Sequence, residues 1–188
     1  MPVFVTNIKN HETNTVLWPV NTTLVMQKIP IASDHAGFEM KQKLIESLSE
    51  FSFDDLGTYS DQSVDYPDFA HKEAELIQNK TYEKGILLCG SGNGIAMTAN
   101  KHAGIRAALC WSAEIAQMAR LHNDANILVL PARFITLEEA KHCVKTFFTT
   151  EFEGGRHALR IAKIDRHPER SEGSTSYQTV PNTSKDIS

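Results

Sequence analysis

Between Met26 and Ile164 the apolar positions follow two alternating rhythms. Short continuous apolar runs predict buried strands at Lys28–Ser33, Gly85–Cys89, Arg106–Trp111 and Asn126–Leu130, with a weaker one at Phe51–Leu56 closed by Gly57. Helical spacing fills the gaps. Phe38–Ser49 carries Met40, Leu44, Ile45 and Leu48 on one face, and Pro67–Asn79 opens on a proline suited to a first turn. Ile95–Lys101 is a short helix, and Ser112 caps another that runs to about His122. Thr136 and Glu139 read as a capping box for a helix carrying Leu137, Ala140, Val144, Phe147 and Phe148, and Arg156–Ile164 is the last helical segment. Strand–helix alternation predicts an α/β fold: a doubly wound, Rossmann-like parallel sheet with right-handed crossovers and helices on both faces. Sites in such sheets lie beyond the C-terminal strand ends, which puts Ser33-Asp34-His35, Cys89 and the residues after it along one edge.

The two ends break the rhythm. Residues 1–25 are rich in Asn and Thr without a clean period, and are expected to form a poorly ordered N-terminal extension, with Met26 a candidate start. Residues 165–188 are polar, with Pro, Gly and Ser, and are expected to form a disordered tail. The 188 residues, 41% hydrophobic, suit one globular domain, at 26–164, between these ends. A net charge of −4 gives no global basic field for nucleic acid or an anionic membrane. The three cysteines, Cys89, Cys110 and Cys143, are far apart and form no CxxC pair, which argues against a disulfide framework or zinc ribbon and for a reduced cytoplasm. No apolar run is long enough to span a membrane, and the N-terminus lacks the pattern of a secretory signal.

The densest chemistry lies in Gly85–Leu109. A strand ends at Cys89, the turn Gly90-Ser91-Gly92-Asn93-Gly94 follows, and a helix begins at Ile95. N–H groups at a helix start are unpaired and partly positive, so they can hold either a phosphate or an oxyanion formed during a reaction. The spacing is GxGxG, with Ile95 where a dinucleotide fingerprint needs its third glycine, and no GK[ST] follows. The turn is equally readable as a tight connection. Cys89 alone reads as a buried thiol. Beside a helix start its thiolate is expected to be favoured, which makes it a usable base or nucleophile. Cys110 and Cys143 are expected in the core.

Other candidates carry two readings each. Asp34-His35 after the first strand is a helix cap, or a proton-transfer or phosphate-contacting pair. Asp65-Tyr66-Pro67 is sufficiently explained as a turn into a helix. His122-Asn123 ends a helix, where the dipole favours histidine, and His122 remains a candidate general acid or base. Arg156 and Arg160 share one helix face and either bind a phosphate dianion or form a solvated basic face; Arg133 has the same ambiguity. His11, His71, His102, His142 and His167 read as surface or core, without metal-ligand spacing.

Taken together these residues resemble the ribose-5-phosphate isomerase type B family, which includes the galactose-6-phosphate isomerase subunits. The likeness runs from about Lys28 to Ile164 through SDHAGFEMK, DYPDFA, GILLCGSGNGIAMTANK, GIRAAL, ARLHNDANIL and EGGRHALR, in order. It implies aldose–ketose isomerisation of a pentose phosphate, in the pentose phosphate pathway, with no metal or organic cofactor. It assigns Cys89 as the base between C1 and C2, Ser91 as its hydroxyl partner, and the amides of Gly90, Gly92, Asn93 and Gly94 to the enediolate oxygen. Some members use a Glu just after the turn; Ile95 stands there, so the chain resembles the cysteine subgroup, though many of those have Thr where Ser91 is. Asp34 and His122 match ring-opening residues, Tyr66 and Asn123 sugar-hydroxyl contacts, and His35, Arg133, Arg156 and Arg160 phosphate contacts. The resemblance also implies a homodimer or dimer of dimers with shared sites.

The expectation is a cytoplasmic enzyme interconverting ribose 5-phosphate and ribulose 5-phosphate. The alternatives are a hexose-6-phosphate isomerase acting on galactose or allose 6-phosphate, which pocket width decides, and a non-catalytic phosphosugar-binding regulator. The regulator would keep the arginines but need no thiol base. A nucleotide-binding module is opposed by the broken fingerprint.

Overall fold

The computed structural model describes residues 28–164. The expected N-terminal extension, Met26 and the expected C-terminal tail lie outside the described residues. Five strands form one sheet: β1 (Ile29–Ser33), β2 (Phe53–Asp55), β3 (Gly85–Cys89), β4 (Ala107–Leu109) and β5 (Ile127–Pro131). Their order is β2-β1-β3-β5-β4, and every pairing is parallel. The helices are α1 (Phe38–Ser47), α2 (Tyr66–Gln78), α3 (Asn93–Ala99), α4 (Ala113–Asn123), α5 (Leu137–Thr149) and α6 (Arg156–Ile164).

The central strands are apolar throughout because both of their faces are covered. Alternate residues divide between two cores. Ile86 and Leu88 of β3 and Leu128 and Leu130 of β5 face Leu44 and Leu48 of α1, Ala116 of α4, and Val144 and Phe147 of α5. Leu87 and Cys89, with Ile127 and Val129, face Ala70, Ala74 and Ile77 of α2 and Ile95 and Ala99 of α3. This is the doubly wound arrangement expected, and Cys110 and Cys143 are fully buried in the first core. The chain leaves β1 for β2 on one side and returns to β3 on the other. The strand order therefore switches direction between the C-terminal ends of β1 and β3, where open α/β sheets hold their ligands.

The expected elements recur with three informative differences. β2 and β4 are only three residues long, shorter than their apolar runs, and their residues are half-buried because they are the edge strands. α3 starts at Asn93 rather than Ile95: Gly92 takes a left-handed backbone (φ 77°) and turns the chain straight into the helix, so Asn93 and Gly94 belong to its first turn. The capping box of Thr136 and Glu139 is only half formed. Thr136 Oγ1 accepts the Glu139 N–H (3.2 Å), but the Glu139 carboxylate turns to α4 and accepts the Ala113 N–H (2.7 Å), since an unpaired amide of the neighbouring helix lies closer to hand. Ser112 caps α4 as expected, accepting from Ile115 N at 3.4 Å.

Two charged groups are buried in unlike ways. Lys41 is fully buried but ion-paired to Asp55 and donates to Thr58 O (2.8 Å), tying α1 to the chain after β2. Glu73 on α2 is also fully buried, and neither carboxylate oxygen finds a hydrogen-bond partner among the described residues. Burial holds the Glu73 carboxyl well above its usual value of 4.5, so it stays protonated when folded at pH values where the unfolded chain has ionised. Stability therefore declines as pH rises above about 4.5, until the folded carboxyl itself ionises. Glu73→Met, similar in size and apolar, is expected to stabilise the protein by on the order of 1–3 kcal/mol at pH 8. The gain should shrink toward pH 5; urea melts of both proteins at the two pH values measure it, and a gain independent of pH would contradict the buried carboxyl as its source.

Candidate active site

The switch point assembles one group of residues. After β1, the Asp34 carboxylate Oδ1 accepts the Gly37 N–H (3.0 Å) and so closes the turn that leads into α1; the helix cap itself is Gly37, so Asp34 does not cap α1 as one reading of it expected. Gly37 has to be glycine: a Cβ there would lie 2.8 Å from Leu88 Cβ, so α1 begins in contact with the end of β3. His35 Nδ1 lies 3.3 Å from both the carbonyl oxygen and the amide nitrogen of Val64, just before α2.

Cys89 ends β3 with its side chain only 5% exposed. Its Sγ accepts the Gly92 N–H at 3.1 Å. Gly92 can reach it because a Cβ at that residue would fall 2.3 Å from Leu109 Cδ1. The amides of Ile95, Gly92 and Ser91 all act to lower the thiol pKa, as a helix start should, but burial outweighs them and Asp34 adds negative charge. The net shift is upward from 9.0. The expectation that the helix start alone favours the thiolate is thus corrected: the donors are in place, but desolvation in the single chain is the larger effect.

The turn collects the other expected contacts. Gly94 faces the Tyr66 ring, whose Cζ would lie 2.6 Å from a Cβ there. Gly90 O accepts from the Arg133 N–H (3.0 Å), and the Arg133 side chain passes over Gly90, with Nε 3.4 Å from where a Cβ would stand. Ser91 is exposed, and its hydroxyl accepts the Asn93 N–H (3.4 Å) rather than reaching Cys89. Beside the turn opens a cavity of about 440 Å³ lined by Ser91, Asn93, Leu109, Trp111, Pro131 and Phe134. Trp111 and Phe134 are 57% and 74% exposed. Neither stands out in the sequence, because a single aromatic at a strand end has no pattern to mark it.

The remaining expected residues lie at the opposite edge. α4 runs back from the end of β4 to the start of β5, so His122 and Asn123 sit at the N-terminal end of the sheet, where Asn123 O accepts from Arg106 Nε (3.0 Å). Arg156 and Arg160 project from α6, which packs on α4. Two residues that sequence reasoning missed complete this group. The His157 ring stacks on His122 with centroids 4.3 Å apart and planes 2° from parallel. Glu153 Oε2 lies 3.7 Å from His122 Nε2 and 3.9 Å from His157 Nε2. Nothing local in EGGRHALR marks His157, because its partner is distant in sequence. The three donors fall within 4.8 Å of one another. Parallel rings, however, direct their lone pairs in separate planes, so one metal ion cannot lie in both without ring rotation. A five-residue parallel strand is roughly 16 Å long, which separates His122, Asn123, Arg156 and Arg160 from Cys89, Asp34, His35, Tyr66 and Arg133 within one chain.

Known proteins share this fold and much of this sequence. The family model described as ribose/galactose isomerase matches residues 29–164. Ribose-5-phosphate isomerase B of Escherichia coli is 40% identical over 141 residues, covering 74% of this chain and 95% of the relative. The structure of a ribose 5-phosphate isomerase from Thermotoga maritima superposes with a TM-score of 0.72 at 52% identity, over 74% of this chain and 97% of that one. That of ribose-5-phosphate isomerase B from Mycoplasma genitalium, with bound ribulose 5-phosphate, gives 0.69 at 44% identity, over 73% and 93%. A parallel sheet with a thiol and a glycine turn at its switch point, matched along nearly all of its described length, belongs to the ribose/galactose isomerase family.

Proposed function

We propose that this chain interconverts ribose 5-phosphate and ribulose 5-phosphate through an enediolate, as a cytoplasmic homodimer or dimer of dimers of the cysteine-base subgroup. The observation that carries the reading is the Cys89 thiol at the switch point, facing the amides of the Gly90–Gly94 turn. Moving a proton between neighbouring carbons of one sugar needs a base for the C–H bond and donors for the oxygen that becomes negative. Cys89 takes the C2 proton of the open aldose and returns it to C1, while the O2 hydroxyl proton passes to O1. Turn N–H groups other than that of Gly92, which the sulfur holds, stabilise the enediolate oxygen, each such donor being worth about 3 kcal/mol in known cases. No electrons leave the substrate, so the chemistry closes within one molecule.

The residues at the two sheet edges then divide the remaining work. Asp34 and His122 open the furanose: the O1 proton leaves, the bond from C1 to the ring oxygen breaks, and that oxygen gains a proton. Tyr66 and Asn123 contact sugar hydroxyls, while His35, Arg133, Arg156 and Arg160 bind the phosphate. Asp34 and His122 lie at opposite edges of one sheet, so acting on one ring requires the His122 edge of a second copy to cover the Cys89 edge of the first. Two features support that cover. The rim of the Cys89 edge carries exposed Trp111 and Phe134, and α6 carries exposed Leu159 and Ile164. The thiol pKa, raised by burial and Asp34, would be drawn back down by the positive charge of incoming arginines. No helix among the described residues is long and apolar enough to cross a membrane.

The direct test is turnover of ribose 5-phosphate by Cys89→Ala. Activity is expected to fall by about 10²- to 10⁴-fold while circular dichroism and phosphosugar affinity stay close to wild type; near-normal turnover would remove Cys89 from its role. Arg160→Ala should act on binding instead, raising KM roughly 10- to 100-fold with a smaller change in kcat. Sharing of sites is tested by refolding Cys89→Ala and His122→Ala together. One site of each mixed dimer then carries both intact residues, and the mixture should regain up to about a quarter of wild-type activity. Two self-contained sites would give no recovery.

A further inference from the structure

His157 has no part in the proton transfers above, yet it is one of the most confined side chains of α6, only 4% exposed while its neighbours Arg156, Ala158 and Leu159 are open to solvent. Its flat face lies against His122, with rings 4.3 Å apart and within 2° of parallel. Arg156 Nε donates toward His157 Nε2 at 3.4 Å, which leaves that nitrogen the acceptor and the proton on Nδ1. Glu153, whose own amide is bound to Leu121 O (3.1 Å), brings one carboxylate oxygen within 4 Å of both rings.

We propose that His157 is a positioning residue for ring opening: its buried ring is the plate that holds the His122 imidazole in one orientation, with Glu153 beside it to accommodate the proton His122 exchanges. The inference rests on the reading of His122 as a ring-opening group. The charges around the pair agree with this division. The groups facing His157 are His122 from α4, Glu153 from the preceding loop, and Arg156 and Arg160 from α6. Burial, helped by the positive charges, lowers the pKa of His157 against the pull of Glu153. Two stacked imidazoliums would repel, so the buried His157 ring serves as a neutral face against His122, the more exposed of the two. An imidazole free to rotate would meet the ring oxygen in few of its orientations, and misplacement of a reacting group by about 1 Å can cost about 100-fold.

The two directions of the reaction separate this role from a structural one. Ribose 5-phosphate is a furanose and must be opened. Ribulose 5-phosphate, with its C5 oxygen phosphorylated, cannot close such a ring and enters as an open chain. The experiment measures kcat and KM in both directions for His157→Leu, which fills the volume without a flat ring, and His157→Phe, which keeps the ring but cannot carry a proton. His157→Leu is expected to lose about 10- to 100-fold in kcat from the aldose and at most about threefold in kcat from the ketose, with KM shifting so that kcat/KM falls equally in both directions as the equilibrium constant requires, while His157→Phe stays within about threefold of wild type in both. Equal losses of kcat in the two directions, a change confined to KM, or a Phe variant as impaired as the Leu variant would overturn the proposal. If His157→Leu does not fold, Glu153→Gln at an exposed side chain is expected to show the same asymmetry, and its absence has the same force. His122→Ala, run alongside, tests the underlying reading by itself. If His122→Ala lacks the aldose-selective loss, the ring-opening assignment fails; if it shows that loss and His157→Leu does not, only the plate fails.

Discussion

The geometry of the site depends on how closely backbone approaches backbone at the ends of β1 and β3. Gly37 lets α1 start against Leu88, and Gly92 adopts a left-handed turn in a space that Leu109 already fills. Only with both can α3 begin immediately after the strand and aim its first amides at the Cys89 sulfur. A side chain at Gly92 would have to displace Leu109 or move the helix start, and the Gly92 N–H now 3.1 Å from the sulfur would no longer point at it. Donors of this kind act because they are fixed before charge develops, so a rigid, crowded turn serves the chemistry better than a roomy one.

The same crowding sets an electrostatic problem. Burial that fixes the donors also desolvates the thiol, and in the single chain desolvation is the larger influence on Cys89. Asp34, held in the turn between β1 and α1, adds an unfavourable negative charge to that desolvation. On the proposed reading, a site in this condition is incomplete in charge as well as in shape. The cations that would complete it, Arg156 and Arg160, are displayed at the other end of the molecule beside His122. Placing complementary halves at opposite edges of one sheet gives each copy a self-complementary pair of surfaces, the arrangement a closed two-fold assembly requires. In the proposed dimer the arginines and the thiol meet only when two copies and the anionic sugar are together.

Much of this was legible in the residues, and the illegible parts have a common cause. The strands announced themselves because a sheet covered on both faces needs continuous apolar runs, and the alternation of Ile86 and Leu88 against Leu87 and Cys89 shows the two cores those runs serve. Cys89, the glycine turn and Asp34 were readable because strand-end position and glycine spacing are local signals. The start of α3 was misjudged by two residues, because a single left-handed glycine can replace a loop. The capping box at Thr136 was half wrong because Glu139 had a competing amide on another helix. His157, Glu153, Trp111 and Phe134 went unread because each acquires its meaning from a neighbour that tertiary structure alone supplies.

The unpartnered Glu73 and the His122–His157 stack show two different uses of burial. Glu73 is enclosed with no hydrogen-bond partner for its carboxylate, beside Gly85 at the start of β3, and it contributes neither a charge nor a hydrogen bond to the site. His157 is enclosed too, but Arg156 and Glu153 flank it and its face meets His122, the residue proposed to open the sugar ring. Confinement of the first kind only lowers stability as pH rises. Confinement of the second kind removes rotational freedom from an imidazole before the substrate arrives, which is the form of ordering that catalysis can use.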